Sequence, residues 1–186
     1  MKIIVEKIRK FVEKESKKPE AWWGDEFYDL HLVKVAKYAK MLAKKLGADS
    51  EIAELAAWMH DIGSSIYGRK DHHITGAEVA EKKLRELEYP EDRIEKVKHC
   101  ILAHRGSQLI EPETIEAKIV ADADALAAFD HIHGPFMAAF VYEKRSQSDA
   151  RDSVRQKYVN SWHKLNFQES KNIIQPKFEA IKLLLE

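Results

Sequence analysis

The sequence has little of what would build a disulfide framework, a membrane span or a strongly charged surface. Cys100 is the only cysteine among the 186 residues, which excludes an intramolecular disulfide and any zinc or iron–sulfur site made of several cysteines. No apolar run reaches ~18 residues, and the amino end is too charged for a signal peptide. The 31 basic and 31 acidic side chains give a formal net charge of zero. We therefore expect a cytoplasmic protein with no membrane partner and no general affinity for nucleic acid.

The composition and the apolar pattern favour one compact all-α domain over residues 1–186. Apolar residues make up 45% of the chain, which is enough for an ordinary core. Apolar positions recur every three or four residues, and this period predicts about eight or nine helices and no strands. The clearest predicted bounds are 2–16, 26–46, 136–145, 150–165 and 167–185. The last third, 135–186, carries no chemical motif, so it completes either the core or a subunit interface, and a homodimer stays open.

Residues 56–63 place an imidazole beside a carboxylate at the end of an apolar run. Helical spacing predicts that His60 points into the protein and that Asp61 lies at the helix end, before Gly63 stops the helix. A single pair of this kind is more often a buried histidine next to a surface aspartate. Other residues must therefore decide its role.

Further polar residues fall on predicted inward faces. His31 lies within the apolar stripe of its helix, and His104 faces inward on another helix. Asp122 and Asp124 lie in a helix that is apolar almost all round. Burying a carboxylate there costs several kcal/mol unless it is paired or bound to a cation. A shared metal ion would satisfy these groups together.

A segment rich in turn-forming residues, 64–71, follows the His-Asp pair and is predicted to be a loop. Its cations, Arg69 and Lys70, fit a phosphate-binding loop and a solvated loop equally well. Two histidines then begin the next helix. Helical projection puts His73 in line with the apolar face and His72 about 80° away from it.

The order His31, then His60-Asp61, then Asp124, each on a separate helix, resembles the signature of the HD superfamily of metal-dependent phosphohydrolases over about residues 25–130. The sequence His60-Asp61-Ile62-Gly63 is similar to the HDIG variant of that signature. Two more segments are similar to motifs of its ribonuclease Y and HD-GYP branches. They are His72 followed by Gly76-Ala77, and the helix end Ile101-Leu102-Ala103-His104-Arg105-Gly106.

The resemblance implies an all-α HD-domain helical bundle with additional C-terminal helices. It implies a phosphatase or phosphodiesterase in which a metal activates water against a phosphate ester, of a small nucleotide-like substrate. The implied cofactor is one or two divalent ions, namely Mn, Fe, Co, Ni or Zn, with Mg also allowed. Implied ligands are His31, His60, Asp61 and Asp124, with His72 and His104 completing a second position that Asp61 would bridge. Implied stabilisers of phosphate charge are Arg69, Lys70 and Arg105.

Two ligand assignments stay open, because projection favours Asp122 and His73 whereas the family pattern favours Asp124 and His72. Two other enzyme or binding functions also stay open: a di-iron oxygenase on the same fold, and a non-catalytic module stabilised by metal.

Two positions depart from the family pattern. Ser64 stands where many HD phosphodiesterases have lysine, and Arg105 stands in place of a second histidine. Upstream, Trp22 and Trp23 occupy a short connection, where we interpret them as packing anchors rather than as the mouth of a pocket.

Overall fold

Helices are the regular structure of this chain, as the apolar period predicts. The computed structural model describes residues 2–105 and 110–186. Within those residues it is 78% helical and has no strand, and no helix there combines the length and apolarity that a membrane crossing requires. The α-helices are α1 (Lys2–Ser16), α2 (Val33–Leu46), α3 (Ser50–Met59), α4 (Ile62–Tyr67), α5 (His72–Glu86), α6 (Glu91–Ala103), α7 (Ile115–Asp130), α8 (His133–Met137), α9 (Gln147–Lys164) and α10 (Gln168–Leu184). Gly106, in the predicted helix-end motif, lies outside the described residues.

The chain divides into two compact units, Met1–Asp124 and Ala125–Glu186. In the first unit, α3 packs against α1, α2 and α6, and α5 packs against α4 and α6. In the second unit, α9 packs against α8 and α10. The single domain expected over 1–186 stays a prediction.

Helix α3 lies in the core of the first unit and delivers His60 to its interior. Asp49 caps its first turn, because its carboxylate accepts hydrogen bonds from the backbone N–H groups of Glu51 and Ile52 at 3.1 and 3.2 Å. The helix is apolar nearly all round, so it is buried against several neighbours. Its buried apolar residues are Ile52, Ala53, Leu55, Ala56, Ala57, Trp58 and Met59.

The segment after Asp61 differs from the prediction. Residues 62–67 form the short helix α4, whereas the sequence suggested that Gly63 ends a helix and that a loop follows. A Cβ atom at Gly63 would overlap the carbonyl oxygen of His72 and the hydroxyl of Thr75. The glycine is therefore required by the close crossing of α4 and α5, and not by a turn.

The helix predicted over 26–46 is present but is not uniform. A π-helical turn, Tyr28–Leu32, runs directly into α2 and contains His31. Gly47 closes α2 in the left-handed conformation, with a φ of 70°, as its position predicts. Single π turns inside α-helices occur frequently at functional sites, so His31 stands at a feature that the apolar period does not reveal.

In the second unit, the helix predicted over 136–145 is replaced by α8 and a second π-helical turn, Ala138–Tyr142. Helices α9 and α10 lie close to their predicted bounds. Their packing is aromatic, because the rings of Trp162 and Phe178 stack with centroids 4.5 Å apart.

Candidate metal centre

A cluster of imidazole and carboxylate groups forms inside the first unit from side chains far apart in the sequence. Its members come from the π-helical turn, from the junction of α3 and α4, from the first residue of α5, from the residue after α6, and from α7. They are His31, His60, Asp61, His72, His104 and Asp124, in three overlapping groups whose ligand atoms lie within 4.8 Å of one another. These are the six residues that the family resemblance implies as ligands.

One side of the cluster is built around His31 and His60. Their Nε2 atoms lie 3.4 Å apart. Asp124 Oδ1 lies 3.2 Å from His31 Nε2, and Asp61 Oδ2 lies 3.5 Å from His60 Nε2. Two imidazole nitrogens and two carboxylate oxygens therefore surround one small volume, which is a donor set suited to a divalent transition metal.

The other side of the cluster uses the second oxygen of Asp61. Asp61 Oδ1 lies 3.2 Å from His72 Nε2, and the Nε2 atoms of His72 and His104 lie 3.3 Å apart. His104 is also grouped with His60 and Asp124, so it borders both sides. The carboxylate of Asp61 thus divides its two oxygens between two sets of histidines, which is the arrangement of a bridging ligand.

Backbone carbonyls fix which ring nitrogen of three histidines carries the proton. The Nδ1–H groups donate to the carbonyl three residues earlier, from His60 to Ala57 at 2.8 Å, from His72 to Arg69 at 2.9 Å and from His104 to Ile101 at 2.6 Å. In the neutral rings, each Nε2 therefore presents a lone pair to the cluster. The lone pairs of His72 and His104 face each other, and this contact is repulsive unless a cation lies between them.

The charges in the cluster also match those of a metal site. Burial alone would raise the pKa of Asp61, but the positive charge that the surrounding histidines carry when protonated outweighs it and lowers that pKa. The same balance lowers the pKa of Asp124, where the hydrogen bond with His31 is the largest favourable contribution. Burial lowers the pKa of His104. Ionised carboxylates and a neutral imidazole are the protonation states that metal binding needs.

The structure also separates the residues between which the sequence left a choice. Among the described residues, the groups that could hold a metal contain His72 and Asp124, but not His73 or Asp122. Both of the residues left out are buried. Projection favours His73 because this residue is in line with the apolar face of α5, but such angles are unreliable at the start of a helix. It favours Asp122 because this residue lies on the main apolar stripe, but a helix that is apolar nearly all round can use either side.

The three cations proposed for phosphate binding lie in different surroundings. Arg69 and Lys70 are exposed in the connection between α4 and α5. The guanidinium carbon of Arg69 lies 5.6 Å from the ring centroid of Trp23. Arg105 is half-buried and follows His104, and its charge adds to the burial that lowers the pKa of His73.

An aromatic stack beside His31 was missed by the sequence analysis, which treated Trp23 as a packing anchor. The rings of Trp23 and Phe27 have centroids 5.5 Å apart, and those of Phe27 and His31 are 5.0 Å apart. The spacing of four residues between Phe27 and His31, within one predicted helix, was the available signal. The indole N–H of Trp23 donates to Ser64 Oγ at 2.9 Å, so the stack is attached to α4.

Comparison with known proteins places this cluster in a family. Residues 28–128 match the family model for the HD domain. Ribonuclease Y from Alkaliphilus metalliredigens is 37% identical over 100 residues, which are 53% of this chain and 19% of that protein. A tRNA (cytidine(56)-2'-O)-methyltransferase from Picrophilus torridus is 31% identical over 141 residues, or 68% of this chain and 39% of that protein. The chain thus spans about a fifth of the length of the ribonuclease Y relatives it matches.

Solved structures share the fold over nearly the whole chain. Bacillus subtilis YpgQ, in its complex with ADP, has a TM-score of 0.73 at 22% identity, covering 97% of this chain and 93% of YpgQ. An HD-superfamily hydrolase from Bacillus thuringiensis has a TM-score of 0.73 at 20% identity, covering 99% and 94% of the two chains. The all-α fold expected from the sequence is thereby confirmed. Since the family model covers more than half of the chain and all six clustered residues, this protein belongs to the HD domain family.

Proposed function

We propose that this protein is a metal-dependent phosphohydrolase that cleaves a phosphate ester of a small, nucleotide-like substrate. Its HD-family relatives include hydrolases, and HD domains bind divalent metals. The hydrolase class follows from the family, whereas the ligands, the substrate and the number of ions are parts of the proposal.

The observation that carries the proposal is the contact between the Nε2 atoms of His72 and His104. Their Nδ1–H groups are already donated to backbone carbonyls, so in the neutral rings neither Nε2 has a proton to offer the other at 3.3 Å. A divalent ion satisfies both lone pairs and also the ionised carboxylate of Asp61. When bound, such an ion makes water a nucleophile near neutral pH and offsets phosphate charge.

The remaining roles fall to side chains around the cluster. Asp61 would hold two metal positions at a fixed separation, because its two oxygens serve different histidines. Arg69, Lys70 and Arg105 would neutralise the charge that develops on the phosphate oxygens. The hydrogen bonds from Nδ1 to backbone carbonyls keep the histidine rings oriented while substrate enters.

The proposed substrate class is supported by two relatives. YpgQ, which shares the fold, binds ADP in its solved complex, and the name ribonuclease Y denotes an enzyme that acts on RNA. ADP and RNA both contain nucleotide phosphate groups. We favour the small substrate for this chain because its formal net charge is zero, which gives little general attraction to long nucleic acid.

Metal analysis of freshly purified protein, followed by a phosphate-ester screen with Mn, Co, Ni or Mg added back, tests the proposal. The panel should contain nucleoside mono-, di- and triphosphates, cyclic nucleotides and short RNA. We expect turnover of a nucleotide with the wild type and loss of both metal and turnover in Asp61→Ala. Full metal occupancy in that variant would show that Asp61 is not a ligand.

Two rival functions give different results in the same experiments. A di-iron oxygenase would contain two irons and would turn over only with oxygen. A non-catalytic module stabilised by metal would bind the ion tightly and hydrolyse nothing across the panel. The cytoplasmic location expected from the sequence stays a prediction.

A further inference from the structure

We propose that Trp23 is a positioning residue for Arg69. This inference rests on the proposed function. Ser64 anchors the indole of Trp23, and the indole holds the guanidinium of Arg69 in place. In that position the guanidinium binds an anionic group of the substrate beside the metal centre. The contacts that connect these side chains lie within residues 22–72, in the first unit.

The anchor is a hydrogen-bonded path from the indole to the backbone of Asp61. Trp23 Nε1 donates to Ser64 Oγ at 2.9 Å, and Ser64 Oγ donates to the carbonyl of Asp61 at 2.8 Å. Ser64 is buried, with 1% of its surface exposed, so this path is shielded from competing water. A hydroxyl that both accepts and donates fixes the plane of the indole relative to the metal centre.

The guanidinium of Arg69 rests on this fixed ring. Its central carbon lies 5.6 Å from the ring centroid of Trp23, within the range of a cation–π contact. The same ring stacks on Phe27, which in turn stacks on His31. The backbone carbonyl of Arg69 accepts the Nδ1–H of His72. Arg69 is thereby tied to one candidate ligand through its backbone and to another through the aromatic stack.

The backbone around Arg69 is also constrained. Gly68 has φ 89° and ψ 178°, a region that is nearly restricted to glycine. A Cβ atom added there would lie 3.2 Å from the ring of Trp22, so the glycine also lets that ring pack against the backbone. Asp71 has a φ of 53°, in the left-handed region. Unusual conformations therefore lie directly before Arg69 and two residues after it, and they restrain the backbone of this segment.

These constraints matter for anion binding because arginine is otherwise a mobile side chain. An unrestrained guanidinium loses many rotamers when it binds phosphate, whereas one already held on a ring loses few. The guanidinium carbon lies over the ring, and a guanidinium can form two parallel hydrogen bonds to phosphate through its N–H edge. Trp23 therefore acts through Arg69 and need not touch the substrate.

Calorimetric binding of ADP and of adenosine to the manganese-loaded protein tests this inference. Arg69→Ala should weaken ADP binding roughly tenfold or more, since one charge-assisted contact is lost, and should leave adenosine binding unchanged. Trp23→Ala should weaken ADP binding severalfold in the wild-type background and have no further effect in the Arg69→Ala background. Trp23→Phe keeps a ring but loses the N–H anchor, and we expect an intermediate effect.

The controls separate positioning from general damage. Arg85→Ala removes another exposed arginine, paired with Glu81 and Glu91, and should leave ADP binding unchanged. Metal content should stay at the wild-type level in Trp23→Phe and Arg69→Ala.

Independent, additive effects of the Trp23 and Arg69 substitutions would overturn the inference, as would a wild type that does not bind ADP. By contrast, coupled loss of ADP binding in the Trp23 and Arg69 variants, together with a wild type that hydrolyses nothing, would support the inference and overturn the proposed function.

Discussion

His72 and Asp61 approach each other through one pair of atoms, Nε2 and Oδ1, which lie 3.2 Å apart. The other oxygen of Asp61, Oδ2, lies 3.5 Å from His60 Nε2. Among the described residues, His72 occurs in only one of the potential metal groups, whereas His104 occurs in two. His72 is therefore the sharper probe of a second metal position.

We predict that His72→Ala lowers the metal content by about one ion per chain, because the remaining ligands still form the position around His31 and His60. Elemental analysis of protein purified under one protocol measures this change. The exposed His163, far along the sequence in α9, provides a control substitution that should leave the metal content unchanged. A wild type that holds a single ion, or a variant with wild-type metal content, would contradict the two-metal arrangement.

Gly63 and Gly76 give a matched pair of substitutions at the crossing of α4 and α5. Gly63→Ala should lower the stability by about 3 kcal/mol, because the new Cβ overlaps backbone atoms of α5 that cannot move alone. Gly76→Ala should be tolerated, since its Cβ would lie 3.4 Å from its nearest neighbours, an ordinary contact. Thermal unfolding should show a fall in Tm of roughly 6–12 °C for the first variant only. Equal Tm values would show that α4 and α5 can move apart enough to accept the methyl group at position 63.

The thiol of Cys100 should be unreactive in the native protein. Burial, assisted by the charge of Glu116, raises its pKa to about 12, against an ordinary value of about 8.5. At pH 8 the thiolate fraction is then roughly 1 in 10,000, so labelling by a disulfide reagent should be slow. Denaturant should restore fast labelling, and Cys100→Ser should give no signal.

The raised pKa of Cys100 also makes the free energy of unfolding depend on pH. Between about pH 8.5 and 12 the unfolded thiol ionises while the folded thiol of Cys100 stays protonated. Its contribution to the free energy of unfolding is thus complete below pH 8.5 and is lost as the pH rises. Rapid labelling of the native protein at pH 8 would contradict both the low reactivity of Cys100 and this pH dependence of stability.

Asp49 combines a helix cap with an ion pair, and two substitutions separate these roles. Asp49→Ala should lower the stability by about 1–2 kcal/mol, since it removes the cap of α3 and the 2.9 Å contact with Arg93. Asp49→Asn keeps a capping oxygen and should cost less. Denaturant unfolding of the two variants measures the difference, and equal losses would assign the effect to the charge alone.

The charge of Asp49 also predicts a pH dependence. Burial raises the pKa of this carboxyl, but the hydrogen bond with Arg93 and those with the backbone of Ile52 and Glu51 outweigh it and lower the pKa overall. Its electrostatic contribution is therefore present above the ordinary aspartate pKa of about 3.9 and is lost as the pH falls further. The stability difference between the wild type and Asp49→Asn should shrink in that acidic range.

Most of the helices could be predicted because they depend on a repeating apolar pattern, whereas the clustered residues were implied by the resemblance to the HD superfamily. Helix α3 is apolar, capped and long enough for its period to be visible. Helix α4 could not be predicted in this way, since its six residues span fewer than two turns and contain glycine and serine. The π-helical turn at His31 does not change the spacing of the apolar residues, so the sequence pattern could not reveal it either.

Choices within the site could not be made from periodicity, because tertiary contacts determine them. Asp122 and Asp124 both lie on a helix that is apolar nearly all round, so the apolar pattern does not decide between them, although in the structure Asp122 is buried and Asp124 is half-buried. The proton on Nδ1 of His72 depends on the carbonyl of Arg69, which only the folded backbone brings to 2.9 Å. The proposed role of Trp23 likewise depends on its hydrogen bond to Ser64, which is distant along the chain.

Arg69 holds His72 with its backbone carbonyl and would hold the substrate with its side chain, so two binding equilibria share one residue. Any factor by which a bound anion tightens the metal site must then equal the factor by which the metal tightens anion binding. Metal and nucleotide would be taken up cooperatively, and the apparent metal affinity measured without substrate would understate the affinity during turnover.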